Sequence, residues 1–111
     1  MAYTSVEDFF EKAAAFKRLS REAERSLGAA VGNGDLAAKE QLVQSYIPMV
    51  AGHIQRFKPP LQSLRLVYAC LQALEKAVES FDFTQDSEPF SHRLSWWLRQ
   101  TTTEHIASRN G

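Results

Sequence analysis

Apolar side chains recur along the chain at the three- and four-residue spacing of amphipathic helices. Five such segments are separated by polar, glycine-rich or proline-rich joints. None of them alternates apolar and polar residues as a half-buried strand would. The pattern therefore predicts an all-α fold, a compact bundle of about five helices. We expect one domain over residues 1–111, with the first helix inside residues 1–18.

Capping residues and helix breakers set the expected helix boundaries. Residues 4–7, Thr-Ser-Val-Glu, have the form of a capping box, and the helix after them is expected to end near Arg18. Gly-Asn-Gly at 32–34 should end the second helix, and Lys-Pro-Pro at 58–60 the third. Three residues with short polar side chains are suited to cap the helices that follow them: Ser20, Asp35 and Ser63.

The third and fourth segments carry the strongest apolar stripes. Pro48 lies inside the third and is expected to bend or loosen it, because proline removes one backbone hydrogen bond. Gly52, one turn later, is expected to let another backbone come close. The fourth segment is the most apolar and is predicted to be the central core helix. Its stripe repeats almost as a heptad: Leu64, Val67, Leu71, Leu74, Val78 and Phe81.

The last segment, residues 90–108, carries both tryptophans of the chain, Trp96 and Trp97. Neighbouring residues lie about 100° apart around a helix, so the two rings cannot share a face. The helical period groups Trp97 with an apolar stripe of Phe90, Leu94, Leu98 and Thr101. It groups Trp96 with Arg93, Gln100 and Thr103. We therefore expect Trp97 to face the core and Trp96 to lie on a polar surface; the alternative is that both rings are half-buried between helices.

Composition gives no sign of an unusual environment. The chain has 13 Lys and Arg against 13 Asp and Glu, so a nucleic-acid partner would have to bind a local surface rather than a strongly basic protein. The single cysteine, Cys70, fits a reducing compartment. The first residues lack the features of a signal peptide, and no apolar run is long enough to span a membrane. A cytoplasmic protein with no membrane partner is expected.

Candidate chemistry is sparse, and we do not expect an enzyme. The three histidines lack the spacing of a zinc site, there is no glycine-rich phosphate loop, and no metal or other cofactor is expected. Cys70 lies on an apolar helix and is interpreted as an unreactive core thiol. The polar surface of the last helix could bind nucleic acid, because exposed indoles stack on bases and Gln, Thr and Arg bind bases or phosphates. A protein–protein surface is the alternative reading, since Trp and Arg also anchor protein interfaces.

Several motifs, taken together, resemble a known family. They are Leu-Glu-Lys-Ala-Val-Glu-Ser-Phe-Asp at 74–82, Phe-Ser at 90–91 and Trp-Trp-Leu-Arg-Gln at 96–100. The combination is similar to the central conserved domain of bacterial RNA polymerase sigma factors. Upstream segments at 19–24, 34–38 and 42–54 extend the resemblance to about residues 19–108.

The resemblance implies a DNA-binding domain for transcription initiation, with the promoter minus-ten element and the RNA polymerase core as partners. Six residues of the last helix match the family's DNA-binding positions: Arg93, Trp96, Trp97, Arg99, Gln100 and Thr103. Four residues match the motif that binds the clamp helices of the largest polymerase subunit: Arg65, Leu66, Tyr68 and Ala69. An anti-sigma factor or another protein partner is also compatible with the family.

The chain departs from the family pattern at points that bear on function. Arg93 stands where the family has a tyrosine that stacks on a flipped adenine. The loop at 84–89 is acidic, where the family has basic residues. The polymerase-binding motif has lost its acidic, amide and glycine residues. The alternative hypothesis is therefore a divergent sigma-like module for protein interaction or regulation, without promoter-opening activity.

Overall fold

A computed structural model describes residues 2–85 and 88–110, and these residues contain helices and no strand. Part of the acidic loop, residues 86–87, lies outside the described residues. The α-helices are α1 (Val6–Ala13), α2 (Arg21–Gly32), α3 (Leu36–Gln55), α4 (Leu64–Ser80) and α5 (Phe90–Asn110), with a 3₁₀ turn at Pro59–Leu61. The predicted all-α bundle of about five helices is confirmed. In the described ranges, no helix is both long and apolar enough to cross a membrane.

Side-chain caps begin the first four helices. Each capping oxygen accepts a hydrogen bond from the backbone N–H three residues later, over 3.0–3.1 Å. The capping residues are Ser5, Ser20, Asp35 and Ser63. Three of these caps were predicted, whereas the first lies one residue later than the predicted capping box. There the Asp8 carboxylate accepts from the N–H of Thr4 at 3.0 Å, so Asp8 takes the role expected of Glu7.

The first helix ends at Ala13 rather than near Arg18. The residues after Ala13 are not helical, and contacts at Tyr46 link them to α2 and α3. The buried Tyr46 hydroxyl donates to Glu24 Oε2 at 2.8 Å and accepts from Arg18 Nη2 at 3.4 Å. Arg18 also lies over the Tyr46 ring, 5.1 Å from its centroid. Burial and the Glu24 carboxylate raise the pKa of Tyr46, so the phenol stays protonated and continues to donate.

Helix α3 is continuous across Pro48, so the proline does not divide it into two helices. The expectation about Gly52 needs correction. A Cβ placed at Gly52 would meet no atom within 4 Å, so no other backbone lies close to it. The close approach occurs at Gly28 of α2 instead, where an added Cβ would lie 2.2 Å from Cβ of Phe83.

Helix α4 is the central core helix, as predicted, and α1, α3 and α5 pack against it. Lys39 near the start of α3 pairs with Glu79 near the end of α4, so these two helices are antiparallel. Tyr46 meets Phe90, and His53 meets Thr102, so α3 and α5 run in the same direction. Helix α5 packs against α4 and contacts α3, and its remaining side faces outward.

An aromatic cluster fixes the first turn of α5. Its ring centroids lie 4.7–5.2 Å apart, in the edge-to-face and tilted arrangements that aromatic pairs prefer. We call it the aromatic cluster, and its members are Tyr46, Phe81, Phe83 and Phe90. Because Phe83 also rests on Gly28, the cluster joins α2, α3 and the loop before α5.

Candidate nucleic-acid interface

The inner side of α5 is a stripe with strict four-residue spacing. Phe90, Leu94, Leu98 and Thr102 are all buried. The predicted stripe ended at Thr101, which is only half-buried. A four-residue repeat drifts by about 40° per step around a helix, so the stripe curves toward α3 at its far end and brings Thr102 rather than Thr101 inward.

The two tryptophans separate as predicted. Trp97 is half-buried and packs against the hydrophobic core, whereas 47% of Trp96 is exposed. The two indoles meet edge to face, with centroids 5.4 Å apart and planes at 86°. Trp97 therefore supports Trp96 from the protein side, while about half of the Trp96 side chain remains open to solvent.

The outer side of α5 is polar around Trp96. We call it the α5 surface; its members are the side chains of Arg93, Trp96, Arg99, Gln100 and Thr103, all of them exposed. A groove of about 440 Å³ follows part of it, between Glu88, Arg93, Trp96 and Arg99. One helix thus presents an aromatic ring, two guanidinium groups, an amide and a hydroxyl within about three turns. Five of the six predicted DNA-binding residues lie on this surface, and Trp97 lies beneath it.

The positive charge of Arg93, at the start of the α5 surface, is partly neutralised by a carboxylate. Glu88 Oε2 lies 3.6 Å from Arg93 Nη2, and each of the two side chains is about half exposed. No such carboxylate is paired with Arg99 among the described residues. A polyanion would therefore meet a free cation at Arg99 and a paired one at Arg93.

The far end of α5 is held by a polar contact. Thr102 Oγ1 donates to the carbonyl oxygen of Leu98 at 2.8 Å and lies 2.8 Å from His53 Nε2. When the Thr102 hydroxyl proton points to the Leu98 carbonyl, the proton between Thr102 and His53 belongs to Nε2 of the imidazole. Burial, and then the charge of Arg56, lower the pKa of His53. The neutral imidazole is thus the form that the fold favours.

The predicted polymerase-binding residues divide between surface and core. Arg65 and Tyr68 are exposed and Ala69 is half-buried, and the three line one groove of about 570 Å³. Leu66 is only 1% exposed, so its side chain belongs to the core and cannot contribute directly to that surface. The N–H of Tyr3 donates to the Tyr68 hydroxyl at 2.9 Å, which places the segment before α1 at the edge of the groove.

The remaining candidate groups give no reactive site. Cys70 is fully buried, and burial raises the pKa of its thiol to about 11. The thiolate needed for nucleophilic chemistry is therefore scarce at neutral pH. Among the described residues, no three His, Cys, Asp or Glu side chains cluster as metal ligands would.

Comparison with known proteins bears on this arrangement. Over 92 residues, or 82% of the chain, the sequence is 34% identical to RNA polymerase sigma factor SigA from Clostridium acetobutylicum. The chain contains a sigma-factor-like region. It spans 24% of the length of that relative, so the match covers about a quarter of the longer protein. No protein-family model matches the chain.

Sequence reasoning about the sigma-factor-like region missed the residues that hold its α5 surface in place. Gly28 and Phe83 fix the loop before α5, and His53 fixes its far end. A signal existed for Thr102, because it continues the exact spacing of Phe90, Leu94 and Leu98. Nothing in the local sequence indicated which glycine would receive Phe83.

Proposed function

We propose that the sigma-factor-like region binds promoter DNA at the minus-ten element through the α5 surface and acts in transcription initiation. The observation that carries this proposal is the placement of Trp96, open to solvent and braced by Trp97 in the middle of a row of Arg, Gln and Thr side chains. An exposed indole on a firm support suits stacking on a base, since stacking contributes about 1–3 kcal/mol per base.

The surrounding side chains suit the other parts of a DNA strand. Gln100 can form two hydrogen bonds with an adenine edge, and Thr103 can contact a base or a phosphate. Arg99 is exposed and unpaired within the described ranges, so it can contact a phosphate without first breaking an ion pair. In the family that the sequence resembles, Gln100 and Thr103 match positions that read the last double-stranded base pair, next to the base that is flipped out.

The groove on α4 supports the second part of the proposal, a contact with RNA polymerase core. Arg65, Tyr68 and Ala69 would supply this contact from the surface, with Leu66 shaping it from below. Tyr68 is 40% exposed, and large exposed apolar side chains often mark interfaces. An anti-sigma factor could compete for the same groove.

Binding to a minus-ten non-template oligonucleotide tests the DNA proposal. We expect tighter binding to this strand than to a scrambled strand, measured by fluorescence anisotropy at low salt. Trp96→Ala should weaken the preferred complex about 5- to 150-fold, which corresponds to one stacked base. Gln100→Ala should lower the preference for the minus-ten sequence, because the alanine side chain cannot hydrogen-bond to a base.

Leu36→Ala is the matched control, since Leu36 is 77% exposed and lies at the start of α3. It should bind as the unaltered chain does. Negligible binding to both strands, insensitive to salt, would contradict the proposal. That result would favour a protein-interaction module, the second candidate, to which the Arg93–Glu88 pair gives some support because it masks one DNA-facing cation.

A further inference from the structure

Thr102 places a buried hydroxyl in a stripe that is otherwise apolar. It continues the four-residue spacing of three buried residues, Phe90, Leu94 and Leu98. Only 4% of Thr102 is exposed, and a buried hydroxyl lowers stability unless it is hydrogen-bonded. An apolar side chain would continue the stripe without that requirement. The hydroxyl of Thr102 is therefore not needed for packing, and its contacts show what else it does.

Side chains of α3 and α4 meet α5 at this hydroxyl. Thr102 Oγ1 lies 2.8 Å from Nε2 of His53 on α3. On α4, burial raises the pKa of the Cys70 thiol, and a hydrogen bond with Thr102 opposes that rise. The Phe57 ring packs edge to face against the imidazole of His53, with centroids 5.3 Å apart, and so supports its orientation. Thr102 thus joins α5 to both neighbouring helices by directional contacts.

The same hydroxyl acts on the backbone of α5. It donates to the carbonyl oxygen of Leu98, one turn earlier in the helix, at 2.8 Å. A threonine hydroxyl bonded to this carbonyl competes with the backbone N–H of its own helix and tends to bend the helix. The contact with His53 fixes the position of the hydroxyl from the other side. The direction of α5 between Leu98 and Thr102 should therefore depend on this contact.

This turn of α5 carries the side chains that we propose to read bases. Gln100 lies inside the turn and Thr103 follows it, so both are within about 3 Å of Thr102 along the helix axis. Trp96 is about 9 Å from Thr102 along the axis, nearer the aromatic cluster. A change of direction at the turn would therefore move Gln100 and Thr103 relative to Trp96.

Base reading tolerates less displacement than stacking does. A hydrogen bond requires its donor and acceptor to lie about 2.7–3.2 Å apart and nearly in line with the proton. Gln100 would have to satisfy two such bonds at once on an adenine edge. Stacking on the Trp96 indole accepts any base, because every base has a flat face. Displacement of this turn should thus reduce sequence preference before it reduces affinity.

We infer that Thr102, held by His53, is a positioning residue that sets the orientation of Gln100 and Thr103 for base reading. This inference rests on the proposed DNA-binding function and adds to it a buried determinant of sequence preference. Thr102 acts through its neighbours, since its side chain is buried against α3 and α4 and cannot contact DNA.

Removal of the hydroxyl tests this inference. The probe is a labelled forked DNA, in which a duplex leads into a single-stranded minus-ten non-template strand; in a second probe the last base pair and the single strand are scrambled. The preference is the ratio of the two affinities, measured by fluorescence anisotropy. Thr102→Val should lower it about 5-fold or more, the lower end of what one bidentate base contact contributes. Affinity for the scrambled probe should stay the same, because it depends on phosphate contacts and stacking.

Conservative and matched variants separate positioning from stability. Thr102→Ser keeps the hydroxyl and should keep the preference. His53→Leu should lower the preference, whereas His53→Gln keeps a hydrogen-bonding amide near the position of Nε2 and should retain most of it. Ser45→Ala removes the other buried hydroxyl among the described residues, which donates to Leu42 of its own helix at 2.7 Å. It should lower stability in urea and leave the preference unchanged.

The outcomes distinguish this inference from the function on which it rests. An unchanged preference in both Thr102→Val and His53→Leu would overturn the positioning role and leave the α5 surface standing. A fall of the same size in Ser45→Ala would assign the effect to general stability and would also overturn the positioning role. If the unaltered chain showed no preference for the minus-ten probe, the proposed function itself would be overturned.

Discussion

The two ends of α5 are held in chemically different ways. At its first turn, Phe90 packs against the other rings of the aromatic cluster. Eight to twelve residues later, Leu98 is buried among apolar side chains and Thr102 makes a polar contact with His53. The proposed stacking residue, Trp96, lies nearer the aromatic end, whereas Gln100 and Thr103 lie nearer the polar end. Stacking and base reading should therefore respond differently to perturbation.

The largest expected effect comes from disturbing the aromatic end at Gly28. Gly28→Ala would place a methyl group 2.2 Å from Cβ of Phe83, so the Phe83 ring would have to leave its site. We expect the free energy of unfolding to fall by about 1–3 kcal/mol, as in other overpacked cores. Urea unfolding followed by circular dichroism measures this loss.

Gly32→Ala is the control for that variant, because a Cβ at Gly32 would meet nothing within 4 Å. It lies in the same helix, and its backbone freedom in the unfolded chain is reduced in the same way. Its effect should have the opposite sign, a gain of about 0.4–1 kcal/mol. Equal losses for the two variants would mean that Phe83 does not anchor the start of α5.

A smaller effect is expected from the ion pair at the same end. Glu88→Gln should release Arg93 and remove one negative charge from the groove beside Trp96. An exposed pair is worth about 0.2–1 kcal/mol, so oligonucleotide binding should tighten about 1.5- to 5-fold at low salt and less at high salt. Glu11→Gln, an exposed change on α1, controls for net charge. A gain of the same size in that control would show that only net charge matters.

The smallest effect distinguishes the polar end by its pH dependence. The pKa of His53 is lowered in the folded chain, so the unfolded chain takes up a proton first as pH falls through about 6.5. The contribution of His53 to the free energy of unfolding is complete above about pH 6.5 and is lost as the pH falls through the lower pKa of the folded chain. Thermal unfolding midpoints at pH 7.5 and 5.5 should show the decline, and His53→Gln should reduce it. An unchanged difference in His53→Gln would assign the pH dependence to other groups.

Local features of the fold were predictable from the sequence, and contacts between distant segments were not. Ser20, Asp35 and Ser63 were identified correctly because a cap depends on a few neighbouring residues. The end of α1 was misjudged because Phe16 extends the apolar period, whereas Arg18 is drawn toward Tyr46, 28 positions away.

The candidate site was predictable to the extent that one helix defines it. The separation of Trp96 from Trp97 follows from helical period alone, and the structure confirms it. Leu66 was grouped with a surface motif by resemblance, but the packing of α4 makes it a core residue. The contact of His53 with Thr102 depends on which end of α3 meets the far end of α5, and only the three-dimensional fold shows that.

Because both indoles lie in α5, the intrinsic tryptophan fluorescence of the protein reports on this helix. Trp96 and Trp97 are the only tryptophans in the chain, so all of its indole fluorescence originates in this helix. Their environments differ, one open to solvent and one packed on the core, and their emission overlaps at a 5.4 Å separation. Replacing Trp97 by Phe leaves a single indole at the centre of the proposed interface, and we expect its emission to be quenched when a base stacks on it, without a label on either molecule.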